Sequence, residues 1–481
     1  MRILFGLASC AALFGFVGCR TTSDVLRDYE ANVTVGNYAA AVPEVAELAA
    51  KNDDSRLLWH LLAASGSYLA DDKANAIAQF DAAEDAMQRN DRASVFSQAG
   101  QGTLAMMTND RAFPYDGGGQ DRIFTCLYKA IDFLSLGKEA GARTELNRAS
   151  QYQDNWIYDR RREIEAASAR LQRDADAYVQ QKNTQPMGDR TQQTAAVMAD
   201  ASFAAQVQQN CGFNLATSGN LDALAAGDYV NTYAQHVTGV FRWLRNDGGE
   251  ACLKSAASLS GNPAAVRDAA ECAQGLRPKN QVWIWVEDGL CPSREEWRVD
   301  LPLMLLPFVQ HYLPYVGMAL PVLRERTWGA SSWTVQCSGG ERVALADLAN
   351  VDKLVKTEYD VYMRGAITRE ITRTIVKAGV QVALGVTSEN VSDRNTQLAL
   401  KLSQIGVAAW AASSTAADLR SWTTLPKTVK CIRVDRPADG KIDIWADGQQ
   451  ILLNMAEGNS FVFIRKPGPQ AMPVVKQVTF K

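Results

Sequence analysis

The chain has 481 residues, with 50 Lys or Arg against 53 Asp or Glu and a formal net charge of -3 at pH 7. That balance, with 21% charged residues, excludes a basic field of the kind that draws nucleic acid. Three histidines (His60, His236 and His311) and nine cysteines without C-x-x-C spacing exclude the usual zinc patterns, and no cofactor motif is present.

Met1-Arg2 forms a short positive region ahead of an uncharged apolar run from Ile3 to Val17. The run is too short to span a membrane and lacks an A-x-A-like cleavage site. Gly18 and then Cys19 close it, so residues 1–18 read as a lipoprotein signal peptide, with Cys19 the lipid attachment point. Cys10 has a similar context, but too little apolar chain precedes it. Each buried acyl methylene contributes about 0.8 kcal/mol, so two or three chains anchor stably where one does not. Arg20 is not the aspartate that retains many lipoproteins in the inner membrane, so the expected address is the periplasmic face of the outer membrane. Roughly 460 residues remain beyond the signal, enough for two or three sizeable cores.

The segment 19–180 reads as tetratricopeptide-like helical repeats. Ala76, Phe80 and Ala83 stand at relative positions 0, 4 and 7, and Ala142, Leu146 and Ala149 repeat them. Ala41 and Val45 match the first two positions. Each set follows a turn signal, at Gly36-Asn37, Asp71-Asp72 or Gly137, and the spacing is near multiples of 34 residues. Small residues there let neighbouring helices approach closely. Between the hairpins, Phe113 to Gln120 contains three glycines but no Lys-Ser/Thr and no preceding strand, so it reads as a flexible loop rather than a phosphate cradle. A long charged helix is expected from Asp154 to Gln180, and a polar linker from Gln181 to Thr194.

A second helical block is expected over 195–276. Tyr229, Val230, Tyr233, Val237, Val240 and Leu244 recur at helical spacing on its core face. The remainder, 281–481, changes character. Gln281 to Glu287 alternates and is rich in Val, Ile and Trp; Asp288-Gly289 is a turn signal, and alternation resumes from Glu295 to Leu303. These two runs read as a strand hairpin. Leu301 to Leu323 is apolar, but its prolines argue against a membrane-spanning helix. Further strands are expected at Gly317 to Arg324, Ser332 to Cys337 and Arg342 to Leu345. Helices follow at Asp347 to Val386 and Asn395 to Leu419, then strands at Val429 to Asp435, Lys441 to Ala446, Gln450 to Asn454 and Ser460 to Arg465. The fold class is therefore α+β: an α-solenoid followed by a small β-sandwich interrupted by a helical insertion at about 347–419.

Seven cysteines follow Cys19, an odd number. Cys252 and Cys272 lie at near-equal distances from the Ser260-Gly261-Asn262-Pro263 break. Two antiparallel helices would bring them level, so they are the expected disulfide.

Several segments resemble a family of bacterial lipoproteins with tetratricopeptide-like N-termini and a C-terminal mixed α/β region. They are LYKAIDFLSLGKEAGARTELNRA, YVNTYAQHVTGVFRWL, VWIWVEDGLCPSREEWRVDLPL, PYVGMALPVL, TREITRTIVKAG and AADLRSWTTLP, in matching order over most of the chain. Thr232, where proline is expected, and Cys291, where a small residue is usual, depart from the family pattern. The resemblance implies a cell-envelope lipoprotein without an established reaction. Its relatives accompany genes for lipoproteins that activate penicillin-binding proteins, which points towards wall assembly.

Chemical signatures are sparse. Glu287, Asp288, Glu295 and Glu296 crowd one turn, where acid–base chemistry or Ca²⁺ binding is conceivable and solvated charge is the ordinary reading. No G-x-S-x-G or penicillin-binding signature occurs, and no catalytic residue is assigned. Arg369, Arg373 and Lys377 form an i, i+4, i+8 basic stripe, a solvated face or a contact for anionic headgroups and wall polymers. Glu145 and Arg148 read as an i,i+3 pair. The leading expectation is a non-enzymatic scaffold that offers the concave face of its hairpins to an envelope protein partner. The alternative is a wall-polymer-binding protein or hydrolytic enzyme using a cleft between the helical and β regions.

Overall fold

Thr21 accepts a hydrogen bond from the Asp24 amide, and Asp24 accepts one from the Thr21 amide, a reciprocal cap that starts the first helix. In a computed structural model, residues 21–51, 53–96, 110–112, 114–181, 190–300, 317–329, 332–389 and 415–480 are described. Helices α1 (Thr22–Thr34) and α2 (Tyr38–Ala50), then α3 (Arg56–Leu69) and α4 (Lys73–Phe96), then α5 (Gly119–Ser135) and α6 (Glu139–Gln181) form three antiparallel pairs. Gly36, Asp71 and Gly137 adopt positive φ at the three turns. Ala41, Val45, Ala76, Phe80, Ala83, Ala142, Leu146 and Ala149 are all buried at 0–3% exposure, so the repeated positions are the helix contacts. The 43-residue α6 joins the second helix of the third pair to the expected charged helix without a break.

Helices α7 (Arg190–Ala199) and α8 (Ala201–Cys211) follow, the latter capped by Asp200. The polar linker expected to reach Thr194 therefore gives way to helix at Arg190, because Val197 at 0% exposure anchors α7 in a core. A single turn α9 (Ala226–Tyr229) leads to α10 (Thr232–Leu244), α11 (Glu250–Ser260) and α12 (Pro263–Ala273), with Asn231 and Asn262 as caps. Tyr233, Val237 and Val240 lie at 0% exposure on α10.

Strand β1 (Gln281–Asp288) is buried along its whole length. The expected hairpin with β2 (Ser293–Asp300) does not form. Instead β2 pairs with β3 (Gly317–Arg324). A strand buried on both faces needs a neighbour on each edge, and β1 has β7 (Thr428–Asp435) antiparallel on one and β10 (Asn459–Lys466) parallel on the other. Gly289, at φ 68°, donates to the Lys466 carbonyl and Cys291 to the Leu425 carbonyl, which leads the chain out of the sheet. The five-stranded sheet is completed by β6 (Ala346–Asn350) beside β7 and β11 (Val474–Phe480) beside β10. A second sheet runs β5 (Arg342–Ala344), β4 (Trp333–Cys337), β8 (Lys441–Ala446), β9 (Gln449–Asn454).

Between β6 and β7 lies α13 (Val351–Glu389). It starts four residues later than expected, because Ala346 to Asn350 is held in β6 by pairing with Cys431 to Thr428. Of the helix expected at Asn395 to Leu419, residues 395–414 lie outside the described residues. Thr415 to Leu419 is not helical, and the Ala417 amide instead donates to Glu296. Residues 301–316 also lie outside the described residues. No described helix is long and apolar enough to cross a membrane.

The chain is thus α+β, with 55% helix and 20% strand. The two faces of β1 separate its cores. Val282, Ile284 and Val286 pack with Trp333, Val335, Ile442 and Ile444 between the two sheets. Trp283 and Trp285, with Phe461 and Phe463, join the helices in one cluster that runs from α1 to β11. Packing is therefore continuous across residue 281. A smaller cluster gathers α7, α8, β2 and β3 around α13, including Val197, Phe203, Met318, Leu320, Met363 and Ile367.

Candidate functional site

Where the helices grip the five-stranded sheet, charged side chains are buried in sets. Glu287 ends the helix-facing side of β1 at 1% exposure, so its expected solvation is overturned, as is that of Asp288 at 2%. The Tyr128 and Tyr233 hydroxyls donate to the two Glu287 carboxylate oxygens at 2.9 and 2.8 Å, and Arg465 Nε lies 3.5 Å away. Burial raises the Glu287 carboxyl above its ordinary range, against the Arg465 charge and the two hydroxyls. Glu295 and Glu296 are exposed and face Arg324 and Arg298 at 3.2 and 2.8 Å. The four carboxylates of this turn are thus divided between a core and a surface, without the facing pair that acid–base work across a cleft needs.

One constellation was missed in the sequence because its members are far apart. His236 of α10, Asp268 of α12 and Cys431 of β7 meet at 0–1% exposure. Asp268 Oδ2 lies 2.8 Å from His236 Nε2, and Cys431 Sγ lies 3.8 Å from His236 Nδ1. The order resembles a nucleophile–base–carboxylate relay. However, the Trp285 indole N–H, which can only donate, points at Nδ1 from 3.0 Å. Nδ1 is therefore an acceptor already engaged, and Nε2 carries the proton towards Asp268. Asp268 further receives Trp283 Nε1 at 2.8 Å and Arg433 Nη1 at 2.7 Å. Burial pushes the Cys431 thiol well above its usual range, and the Asp268 charge adds to this. The set joins α10 and α12 to β1 and β7 as a satisfied polar seam.

The basic stripe on α13 is also internal. Arg369 and Arg373 reach Asp110 at 2.5 and 2.7 Å, and Arg373 also meets Glu370 at 2.5 Å. Arg373 is 3% and Lys377 7% exposed, so the expected contact of Arg369, Arg373 and Lys377 with external anions gives way to burial of the stripe, with Arg369 and Arg373 held by the chain's own carboxylates. Burial works to raise Asp110, but the Arg369 and Arg373 charges outweigh it and hold the carboxyl below its ordinary range. Helical spacing identified the stripe and gave no sign of Asp110, more than 250 positions away.

On the third helix pair, Arg148 meets Glu145 at 3.2 Å as expected from their spacing. Glu84, Cys126 and Glu145 bring a carboxylate, a thiol and a second carboxylate together, a grouping able to hold a metal ion. Lys129 Nζ lies 3.0 Å from Glu84, 2.9 Å from Glu145 and 2.7 Å from Asp81, and Arg148 lies 2.7 Å from Glu84. Two side-chain cations thereby balance the carboxylates that a metal would need.

The glycines of the expected flexible loop also meet an internal anion. The Glu358 carboxylate of α13 accepts from the Gln120 amide at 2.9 Å and from Trp156 Nε1 at 2.8 Å, at the N-terminus of α5. A Cβ on Gly118 would lie 2.2 Å from Glu358 Oε2, and one on Gly119 2.2 Å from the Trp156 ring. Close approach of a carboxylate, rather than a phosphate, explains these glycines.

The expected bridge between Cys252 and Cys272 is absent, and all seven described cysteines are free thiols. Cys252 is buried beside Leu253 and Ala256, and Cys272, half-buried, packs against the same core cluster as a separate thiol. Burial raises both thiols.

A surface groove of about 270 Å³ runs along α1. Leu290, Trp328, Pro467 and Pro469 supply its apolar wall, and Arg27, Glu30 and Arg326 its charged rim. Arg326 pairs with Glu30 at 2.8 Å. Cys19, the expected lipid site, lies outside the described residues. No protein family, curated protein or solved structure matches the chain.

Proposed function

We propose that the chain is a lipid-anchored lipoprotein of the bacterial cell envelope, held at the periplasmic face of the outer membrane through Cys19. Its role is that of a protein-interaction scaffold, with the pointer to wall assembly coming from the family resemblance. The observation that carries this reading is the set of three antiparallel helix pairs, with small or apolar repeat positions at their contacts, directly behind the lipobox-like sequence. We read these pairs as a tetratricopeptide-like solenoid. The two sheets that share the Val282–Ile284–Val286 face read as a β-sandwich, interrupted by α13.

One part of the expectation changes. Leu57 to Leu69 of α3 is buried throughout, as is most of α5, and the covering groups include the chain's own C-terminal half. Trp422 donates to Ser65 at 2.7 Å, Lys476 pairs with Asp132 at 2.7 Å, and Arg420 donates to the Asp54 carbonyl at 2.9 Å. The inner face of the repeats is thereby taken internally, and a protein partner meets the outward faces. The alternative, a wall-polymer binder or hydrolase working in a helix–sheet cleft, has less support, since Trp283, Trp285, Tyr128 and Glu287 fill that junction. Affinity capture from crosslinked envelopes, comparing wild type with Cys19→Ser, is expected to recover a specific protein with the anchored form. Recovery of none from either form overturns the scaffold reading.

A further inference from the structure

One exposed side of α1 carries a single ion along its whole length. Ser23, Arg27, Ala31 and Val35 follow one another at four-residue steps along it, all exposed, and Ala39, Ala40 and Pro43 continue the surface onto α2. The one ion on the stripe, Arg27, pairs with two carboxylates, Asp24 at 3.1 Å and Asp28 at 3.5 Å. The groove runs beside this stripe, and its other charged rim groups, Glu30 and Arg326, neutralise each other. At its far end the segment after β10 folds back onto the hairpin turn: a Cβ on Gly36 would touch Ala471, and one on Gly468 would meet the Thr34 carbonyl. That contact sets Val35, 49% exposed, close to Met472, the most exposed large apolar side chain among the described residues at 72%. Scattered apolar side chains on a surface need no explanation, but a stripe with a single, paired ion, a groove with an apolar wall and two prominent apolar side chains side by side do.

We infer that this face, formed by α1 and the segment 467–472, docks flat on the lipid surface that holds the anchor, with Val35 and Met472 entering the acyl boundary. The inference rests on the lipoprotein reading. The argument for lipid as the occupant is the length of chain before the helix. From Cys19 to Thr22 is three residues, at most about 11 Å when extended. A helix of 13 residues is about 20 Å long. The start of α1 is thus confined to the headgroup layer, and either α1 stands upright or one of its sides lies along the membrane. The side whose cations are already paired and which has exposed apolar groups is the one that a bilayer interface accepts. Because the cations on this face, Arg27 and Arg326, are already paired with carboxylates, docking depends on apolar insertion and gains nothing from anionic lipid.

The test is amide hydrogen exchange on the full mature lipidated chain in nanodiscs, against soluble Cys19→Ser in buffer. One set of discs is purely zwitterionic and a second about one-third anionic. Peptides covering residues 33–39 and 466–474 are expected to exchange about tenfold more slowly in both discs, with the β5 and β9 edges unchanged. The double variant Val35→Glu with Met472→Glu, at two exposed positions that leave the core intact, is expected to lose this protection while still carrying its acyl groups. Unchanged exchange at these peptides in the wild type overturns the docking inference, as does protection confined to anionic discs. Protection present in native membranes but absent from pure-lipid discs overturns it in favour of a protein partner. A mass spectrum without acyl groups on wild-type Cys19 overturns the anchor reading itself, and the docking with it.

Discussion

Asp132 on α5 is fully buried, and its two oxygens are treated very differently. Oδ1 accepts from Lys476 Nζ at 2.7 Å, while Oδ2 has no hydrogen-bond partner among the described residues. Burial raises this carboxyl to about 6, against the Lys476 charge and hydrogen bond. An unfolded aspartate titrates near 3.9, so between these values the folded chain binds the extra proton. Stability must then fall as pH rises through that window, and recover as pH falls from about 6 to about 4. The gap between about 6 and about 3.9 corresponds to roughly 3 kcal/mol at neutral pH, an upper bound for this one group. Asp132→Asn removes the titration and leaves Lys476 its second carboxylate, Asp71, at 3.1 Å. The expected outcome is a variant at least as stable as its parent at pH 7, less favoured relative to it at pH 4.5, and with a shallower pH slope. Urea unfolding of the soluble Cys19→Ser chain, with and without Asp132→Asn, across that range measures this. A loss of about 3–5 kcal/mol at pH 7, as for a broken buried ion pair, would refute the reasoning and show that Lys476 outweighs desolvation.

Three further outcomes follow from other sites. Arg373→Met should cost about 3–5 kcal/mol in the same urea assay, since it strips a buried partner from Asp110 and Glu370, whereas a solvated stripe residue would cost under about 0.5 kcal/mol. Gly119→Ala should destabilise by roughly 1–3 kcal/mol, because the new methyl meets the Trp156 ring at 2.2 Å and Glu358 at 2.8 Å. Midpoints that match those of the parent would show that the loop yields. Dithiothreitol should leave the unfolding midpoint unchanged, because Cys252 and Cys272 are unbonded; a loss equivalent to about 2–4 kcal/mol would instead reveal a bridge.

Local pattern carried most of the elements, and its failures have identifiable causes. Repeat positions such as Ala76, Phe80 and Ala83 were legible because helix contact imposes a period on neighbouring residues. The same holds for Tyr233, Val237 and Val240 on α10, and for the strands at Lys441 to Ala446 and Gly317 to Arg324. Asp288-Gly289 misled because a turn dipeptide states that the chain bends and leaves open which strand it bends towards. Strands β6 and β11 went unread: β6 has only five residues, and β11 has two polar residues, Lys476 and Gln477, side by side.

What the sequence by itself determined is therefore the helical pairs and the α+β class, both encoded in short-range spacing. Which charges are paired was decided only by tertiary structure. Arg373 looks solvated until Asp110 arrives from another part of the chain, and Glu287 looks like a turn carboxylate until Tyr128 and Tyr233 enclose it. The same holds for His236, Asp268 and Cys431, which no spacing connects. Periodicity records which side of a helix or strand is buried. The partner that makes a buried charge tolerable lies elsewhere in the chain, and only the packing of helices against the sheet brings it within reach.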